Sequence, residues 1–190
     1  KFYKVVTFPN KMPSDILKNK KLLIGYDPKL FTKKILISLF RKNDFKFKSL
    51  KNNLIDQIWK RKVAQSNLNF YPMPKDSVGE NFKSKINKVV LNLKKKGADY
   101  QFITASENNA WLLNIRGADA KYAPIPSSYV LIGKNNSVTF FCNNKKVSNS
   151  LKKSFKKIKF SNIEFVDKVL LGIKRKKFII DVNTCSVYFE

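Results

Sequence analysis

The stretch that most constrains the fold is a run of apolar residues at helical spacing, followed directly by a strand-like run. The apolar positions recur three or four residues apart and share one helix face: Phe82, Ile86, Val89, Val90 and Leu93. We predict that this helix begins at a capping box, Ser77–Glu80. It should end at Lys94–Gly97, because cations and a glycine suit the last turn. The segment Tyr100–Thr104 then predicts a strand.

Helix and strand patterns continue to alternate up to the last residue. A short helix capped by Ser106 is followed by two strands around a turn at Lys134–Asn136, and then by further helices and strands. The predicted strands are 129–133, 137–142, 163–166 and 178–182, and the predicted helices are 106–113, 147–158 and 167–173. This alternation predicts an α/β fold with a mixed sheet flanked by helices.

The first third of the chain contains shorter patterns. Strands are predicted at 1–8, 22–26 and 45–48, with an apolar segment at 54–59. A helix capped by Asp27 is predicted to end near Asn43. Residues 63–78 contain several Asn and Pro residues, which predict a connector. We therefore expect a partial α/β domain at 1–66, a linker at 67–78 and a second domain at 79–190.

The sequence contains no histidine, and this excludes several kinds of site. A Ser-His-Asp or Cys-His nucleophile cannot be built, and neither can a zinc site that uses histidine. The 13 Asp and Glu residues are scattered without ligand spacing, so we predict no catalytic residue and no metal or cofactor site in this chain. Two cysteines, Cys142 and Cys185, make no disulfide framework and favour a reducing, cytoplasmic location.

The formal charge of +26 is compatible with nucleic-acid binding, but its composition argues against specific recognition. Of the 39 basic residues, 35 are Lys and four are Arg, the residue that suits bidentate contacts to bases and phosphates. The abundance of Lys, Asn, Ile and Phe is typical of an AT-rich genome, in which lysines coat solvated surfaces. We expect only nonspecific, salt-sensitive binding to nucleic acid. No apolar run is long enough to cross a membrane.

Three ordered motifs together resemble a known family. The segment Trp111–Ile132 reads W-L-L-N-I-R-G-A-D and continues through two prolines to Ser-Tyr. Gly25–Pro28 reads G-Y-D-P, and Asn53–Trp59 reads N-L-I-D-Q-I-W. In this order the motifs resemble those of the N-terminal region of the Xaa-Pro aminopeptidases (aminopeptidase P).

The resemblance implies the fold of the creatinase/prolidase N-terminal domains. It also implies that the chain starts inside the first of two non-catalytic domains and ends before the catalytic pita-bread domain. That domain would hold two divalent metal ions, usually manganese, and would remove the N-terminal residue from peptides with proline second. The expected partners are the chain's own catalytic domain, a homodimer partner and proline-containing peptides. This part alone should be inactive and should shape substrate access.

The same resemblance points to candidate residues in the third motif. Arg116 would reach toward the active-site mouth or a carboxylate across an interface; an internal ion pair with Asp119 or the 105–108 turn remains equally open. Asn114 is a candidate access residue or a cap for backbone groups. Tyr122 and Pro124 belong to a stiff loop that either shapes the entrance or only connects. Gly117 is expected to have a positive φ, as a structural turn with Asp119.

The remaining candidates have plainer interpretations. We expect Trp111 and Trp59 to be core residues, and Cys142 to be a small buried apolar residue. Residues 1–66 should expose apolar edges if they have lost partner strands. A related creatinase or prolidase, or a basic nucleic-acid-binding module, remains an alternative.

Overall fold

The computed structural model describes residues 5–17, 21–40, 45–59 and 66–190. The chain divides into two compact units. The first unit comprises Lys1–Lys62 and Val182–Glu190, and the second comprises Val63–Asp181. This division does not test whether the units are the two N-terminal domains of the resemblance, so the predicted domains and linker stay predictions.

The first unit is built on two parallel strands joined through a helix, with Leu23 opposite Lys46. Its elements are α1 (Pro13–Ile16), β1 (Leu23–Tyr26), α2 (Lys33–Phe40), β2 (Lys46–Ser49) and α3 (Leu54–Ile58). Thr32 caps α2, because its hydroxyl oxygen accepts from the Ile35 amide at 3.2 Å. The prediction that Asp27 caps this helix is therefore wrong.

Two predictions for this unit fall partly outside the described residues. Of the strand predicted at 1–8, residues 1–4 are not described, and residues 5–8 form no strand. The predicted helix end near Asn43 also lies outside the described residues. The final segment of the chain joins this unit, since the amides of Val187 and Tyr188 donate to the carbonyls of Phe31 and Pro28 at 2.9 and 3.0 Å.

The second unit contains a five-stranded mixed sheet, as predicted. The order across the sheet is β8, β7, β6, β4, β9, where β7–β8 and β4–β9 are parallel and the other pairs are antiparallel. The strands are β4 (Tyr100–Ile103), β6 (Tyr129–Gly133), β7 (Val138–Cys142), β8 (Ile158–Asn162) and β9 (Phe178–Ile179). A separate antiparallel pair joins β3 (Tyr71–Pro72) to β5 (Ile115–Arg116).

Helices cover this sheet and complete the α/β architecture. They are α4 (Phe82–Lys95), α5 (Ser106–Leu113), α6 (Asn149–Ser154) and α7 (Val166–Gly172). Three 3-10 helices lie between the larger elements, at Lys75–Ser77, Asn144–Lys146 and Ile163–Phe165. One core joins the apolar sides of α4, α5 and α6 to alternate residues of β6 and β7, including Val130, Ile132, Val138 and Phe140.

The body of α4 is confirmed, but its start is not where the capping box placed it. Asn81 caps the helix by accepting from the Ser84 amide at 3.0 Å, and Ser77 lies in the preceding 3-10 helix. The end agrees with the prediction, because Lys94 and Lys95 occupy the last turn and Gly97 has a φ of +61°.

The predicted strand at 163–166 is wrong. Those residues begin with a 3-10 helix, and the strand is β8, five residues earlier. Ile158 and Phe160 point toward the sheet's core side on either side of Lys159, which is the period of a strand. Ile158 also continues the helical spacing of Leu151 and Phe155, so it fits both the pattern of the helix before it and the alternating pattern of β8.

Candidate functional site

The site is built around the corner where α5 turns into β5. Asn114 forms this corner in the left-handed region, with φ 55° and ψ 34°. Its side chain is buried and makes two hydrogen bonds: Nδ2 donates to the Glu80 carbonyl at 3.0 Å, and Oδ1 accepts from Lys85 Nζ at 2.7 Å. Asn114 is thus the C-cap residue of α5 by its backbone conformation, while its side chain contacts Glu80 and Lys85, which lie outside that turn.

Lys85 lies beneath this corner and is only 4% exposed. Its ammonium group donates to the Trp111 carbonyl as well as to Asn114, and lies 4.2 Å from the centre of the Trp111 ring. Burial lowers the pKa of Lys85, and the nearby Glu80 carboxylate opposes that shift. A cation placed here stabilises the carbonyl end of α5.

Arg116 serves the same helix end. Its Nη1 donates to the Ala110 carbonyl at 2.6 Å and to the Ile115 carbonyl at 3.1 Å, and its backbone pairs with Tyr71 across the β3–β5 ribbon. An ion pair with Asp119, one of the interpretations left open for Arg116, is not formed, and Asp119 pairs with Lys146 instead. The Arg116 side chain thus stabilises the last turns of α5 through its hydrogen bond to the Ala110 carbonyl.

We name residues Gly117–Ser128 the Arg-Gly loop. Gly117 opens it, but its φ is not positive, so that expectation is wrong. The reason for glycine is close packing: a Cβ at this position would lie 2.6 Å from Phe70 Cδ1 and 3.1 Å from Pro126 Cα. Such contacts are shorter than van der Waals packing allows.

Asp119 ties the two ends of the Arg-Gly loop together. Its Oδ2 accepts from the Ser127 amide at 2.8 Å, and its Oδ1 pairs with Lys146. The Asp119 and Lys146 side chains are 10% and 8% exposed. The other end of the loop is held by α5, since Asn109 Nδ2 donates to the Ser128 carbonyl at 2.9 Å and the Ser128 amide donates to Ser106 Oγ at 3.1 Å.

The tip of the Arg-Gly loop faces solvent. Tyr122 is 89% exposed, with Lys121 Nζ 5.1 Å from its ring centre. Pro124 is exposed too, and its carbonyl accepts from the Gly117 amide at 3.3 Å. The candidate residues thus separate into an internal pair, Asn114 and Arg116, and an exposed pair, Tyr122 and Pro124.

Both tryptophans differ from their expected core positions. Trp111 is 59% exposed and Trp59 is 57% exposed. In α5 the core side is taken by Leu112 and Leu113, so Trp111 points away from it and lies over Lys85. Cys142 is fully buried as predicted, and burial raises the pKa of its thiol to about 12, which keeps it protonated.

The sequence analysis missed Lys85 and Lys146. Lys85 lies three residues after Phe82 and four before Val89, so helical spacing already places it on the buried face. Lys146 has no such signal, because it is buried by a contact with Asp119, 27 residues away.

The two shorter motifs meet in the first unit. Asn53 Nδ2 donates to Asp27 Oδ2 at 2.9 Å, while Asn53 Oδ1 accepts from the Ile55 amide and caps α3. The other oxygen of Asp27 accepts from the Lys29 amide at 2.8 Å. Asp27 therefore stabilises a turn.

The described part of the chain contains no group of three or more His, Cys, Asp or Glu residues that could hold a metal ion. Within the same ranges, no helix has the length and apolar character needed to cross a membrane.

Comparison with known proteins gives consistent similarities. Residues 61–190 match the family described as Creatinase/Prolidase N-terminal domain. Xaa-Pro aminopeptidase 1 of Dictyostelium discoideum is 29% identical over 147 residues, covering 70% of this chain and 23% of that enzyme. A probable Xaa-Pro aminopeptidase P of Talaromyces marneffei is 30% identical over 68% of this chain and 20% of its own length. The chain thus spans about a quarter or less of the curated relatives it matches.

One solved structure shares the fold. It is an X-prolyl aminopeptidase from Caenorhabditis elegans, described as a cytosolic enzyme with a di-nuclear active site. The TM-score is 0.76 at 21% identity, over 89% of this chain and 30% of that chain. The resemblance found in the three motifs is confirmed by these similarities.

Proposed function

Because the chain belongs to the Creatinase/Prolidase N-terminal domain family, we propose that it is the non-catalytic N-terminal part of a metal-dependent Xaa-Pro aminopeptidase. The complete protein would remove the N-terminal residue from peptides that have proline second. The observation that carries this proposal is the similarity of 70% of the chain to a Xaa-Pro aminopeptidase of which it covers only 23%.

The two divalent ions of the proposed enzyme, manganese in our proposal, would be held by residues of a catalytic domain outside this chain. The described residues contain no group of three or more His, Cys, Asp or Glu that could hold a metal ion. The chemistry that such ions would supply is activation of a water molecule and polarisation of the scissile carbonyl. We propose a cytoplasmic location for the enzyme.

The proposed contribution of this chain is to shape access to the active site. The exposed tip of the Arg-Gly loop, Tyr122 and Pro124, suits that role, because the loop is fixed at both ends while its tip faces solvent. Asn114 and Arg116 would act as positioning residues, since their polar groups bind the end of α5 and its neighbours. We further propose that the chain contacts its own catalytic domain and supports a homodimer.

The activity is tested on the complete gene product. We expect it to release alanine from Ala-Pro-Ala but not from Ala-Ala-Ala, to lose activity on chelation, and to regain it with Mn²⁺. The 190-residue chain alone is expected to cleave neither peptide. Cleavage by this chain alone, or turnover of creatine instead of the proline peptide, would contradict the proposal.

The access role is tested by Tyr122→Ala in the complete protein. We expect a higher KM for proline peptides with little change in kcat, because a residue at the entrance contributes to binding rather than to the chemical step. Leu171→Ala, which removes an exposed side chain of α7, is the matched control. Equal kinetics for both variants and the unmodified enzyme would rule out this role for Tyr122.

A further inference from the structure

A crevice of about 520 Å³, lined mainly by Asn, Ser and charged residues, lies in the second unit beyond the carboxyl ends of β7 and β8. Its walls come from Asn143–Lys146 after β7, from Asn162–Glu164 at the end of β8, from Asp119 and Ser127 of the Arg-Gly loop, and from Ser66. The volume lies within the range of roughly 300–1,000 Å³ that is typical of small-molecule sites.

The strand register brings the two main walls side by side. β7 and β8 are parallel, and Cys142 is directly opposite Asn162, so the residues that follow them leave the sheet together. Asn143 Oδ1 accepts from the Lys145 amide at 3.1 Å, which fixes the turn that carries Lys145. Asn162 Nδ2 donates to Glu164 Oε2 at 3.4 Å, which orients that carboxylate.

The charges of the walls are balanced, although the chain as a whole carries +26. Lys146 and Asp119 neutralise each other and are both about nine-tenths buried. The remaining charges among the described wall residues are one cation, Lys145, and one anion, Glu164, both exposed. Asn and Ser side chains make up most of the rest, with Ile163 as the apolar exception.

We propose that this crevice binds a small zwitterion of the amino-acid class, with Glu164 facing the ligand's ammonium group and Lys145 its carboxylate. A site for an anion needs a net positive wall, and a site for a cation needs a net negative one. One free charge of each sign matches a ligand that carries both, and the amides of Asn143 and Asn162 can donate to it or accept from it.

The buried pair Lys146–Asp119 fixes the wall of the crevice, because it joins the Arg-Gly loop to the turn after β7. Since these two charges neutralise each other, Lys145 and Glu164 are the charges left for a ligand. This inference goes beyond the proposed peptidase, since it requires only residues of the second unit.

The ligand side of the test uses L-alanine and two blocked analogues. N-acetyl-L-alanine lacks the ammonium group, and L-alaninamide lacks the carboxylate. In an NMR titration of the 190-residue chain, we expect alanine to shift the amide signals of Lys145 and Glu164 saturably. Each analogue should bind about three- to fivefold more weakly, which is the effect of losing one solvated ion pair.

The protein side of the test uses Glu164→Gln and Lys145→Gln. We expect Glu164→Gln to remove the preference for alanine over N-acetylalanine, and Lys145→Gln to remove the preference over alaninamide. Glu107→Gln and Lys157→Gln neutralise exposed charges outside the crevice and should leave all three affinities unchanged. Circular dichroism checks that each variant is folded.

The proposal is overturned if alanine shifts none of the crevice amides at millimolar concentration, if all three ligands bind equally, or if the control variants change binding as much as the crevice variants. Because binding is measured directly on this chain, the result does not depend on whether the complete protein cleaves proline peptides.

Discussion

Asn114 combines a strained backbone with interior hydrogen bonds. Its left-handed conformation favours Asn or Gly over other residues, and its amide connects the end of α5 to Lys85 and to the Glu80 carbonyl. One residue therefore sets the direction of the chain into the Arg-Gly loop.

We expect Asn114→Ala to lower the free energy of unfolding by about 2–5 kcal/mol, since it adds left-handed strain and leaves a buried ammonium group without one acceptor. Asn114→Gly should cost less, because it removes only the hydrogen bonds. Urea denaturation measures both. Asn136→Ala, at an exposed residue with a φ of 65°, is the control for strain alone. Equal losses for Asn114→Ala and Asn136→Ala would mean that the amide contacts contribute nothing.

Gly117 tests the importance of close packing at the start of the loop. We expect Gly117→Ala to destabilise the protein by about 1–3 kcal/mol, because the new methyl group would overlap the Phe70 ring. Gly79→Ala is the matched control: nothing lies within 4 Å of its Cβ, so the change should stay within about 0.5 kcal/mol. Thermal unfolding measures both variants, and similar losses at the two positions would contradict the packing explanation.

At the residue scale, the motif in the sequence located a group of neighbouring residues but did not predict their contacts. The motif identified Asn114, Arg116, Gly117 and Asp119, and all four lie at the α5–β5 corner or in the loop that follows. The partners were not predictable, because Lys146 and Phe70 come from segments distant in sequence. A glycine needed for close approach looks the same in a sequence as a glycine needed for positive φ.

At the element scale, Asp99 joins three parts of the sheet just before β4. Its carboxylate lies 2.8 Å from Lys134 Nζ, in the turn between β6 and β7. It also accepts from the Lys177 amide at 3.0 Å, just before β9. The hydrogen bonds from Lys134 and Lys177 hold the pKa of Asp99 below its ordinary value of 3.8.

This lowered pKa predicts a pH-dependent effect of Asp99→Asn. The folded-state pKa is below the unfolded one, so the carboxylate stabilises the fold fully above about pH 3.8 and loses this effect as the pH falls through the folded-state pKa. Urea denaturation should therefore show Asp99→Asn to be less stable than the unmodified chain at pH 7, with a difference that shrinks in acid. Asp76→Asn controls for the loss of one negative charge. A difference that stays constant down to pH 2 would contradict the prediction.

Helix bodies and central strands were predictable because their periods are long or uninterrupted. The body of α4 and the bounds of β6 agree with the prediction, since α4 has four turns of regular spacing and β6 is an apolar run between turn residues. The ends of the helices were less predictable than their central residues. Ser77 and Asn81 are both residue types that cap helices, and in the structure Asn81 caps α4.

At the scale of the whole molecule, the two units differ in how well they bury apolar side chains. The second unit has a continuous core across its sheet and helices. The first unit rests on two parallel strands, an arrangement that is normally covered on both faces. Many of its apolar side chains are exposed: Leu23, Leu30, Ile37, Phe47, Leu54, Ile55 and Ile58.

We expect hydrogen exchange to separate the two units. The amides of β1 and β2 should exchange faster than those of β6 and β7 in the same sample, because local opening of the first unit exposes less buried apolar surface. Mass spectrometry after deuterium labelling measures this, with α4 as an internal reference. Equally slow exchange in β1 and β6 in a monomer would show that the first unit is complete by itself.

The family was predictable because motifs are local, whereas the course of the chain between the units was not. Val182–Glu190 belong to the first unit through hydrogen bonds to residues more than 150 positions earlier, and no periodicity in the sequence reports such contacts.

This return of the chain has a consequence for biosynthesis. The first unit consists of two segments separated by the whole of the second. On the ribosome, Val187 and Tyr188 are synthesised only after Val63–Asp181. The hydrogen bonds from their amides to the carbonyls of Phe31 and Pro28 therefore cannot form until the whole second unit has been translated. The nascent second unit can therefore fold before the first unit has received its final segment.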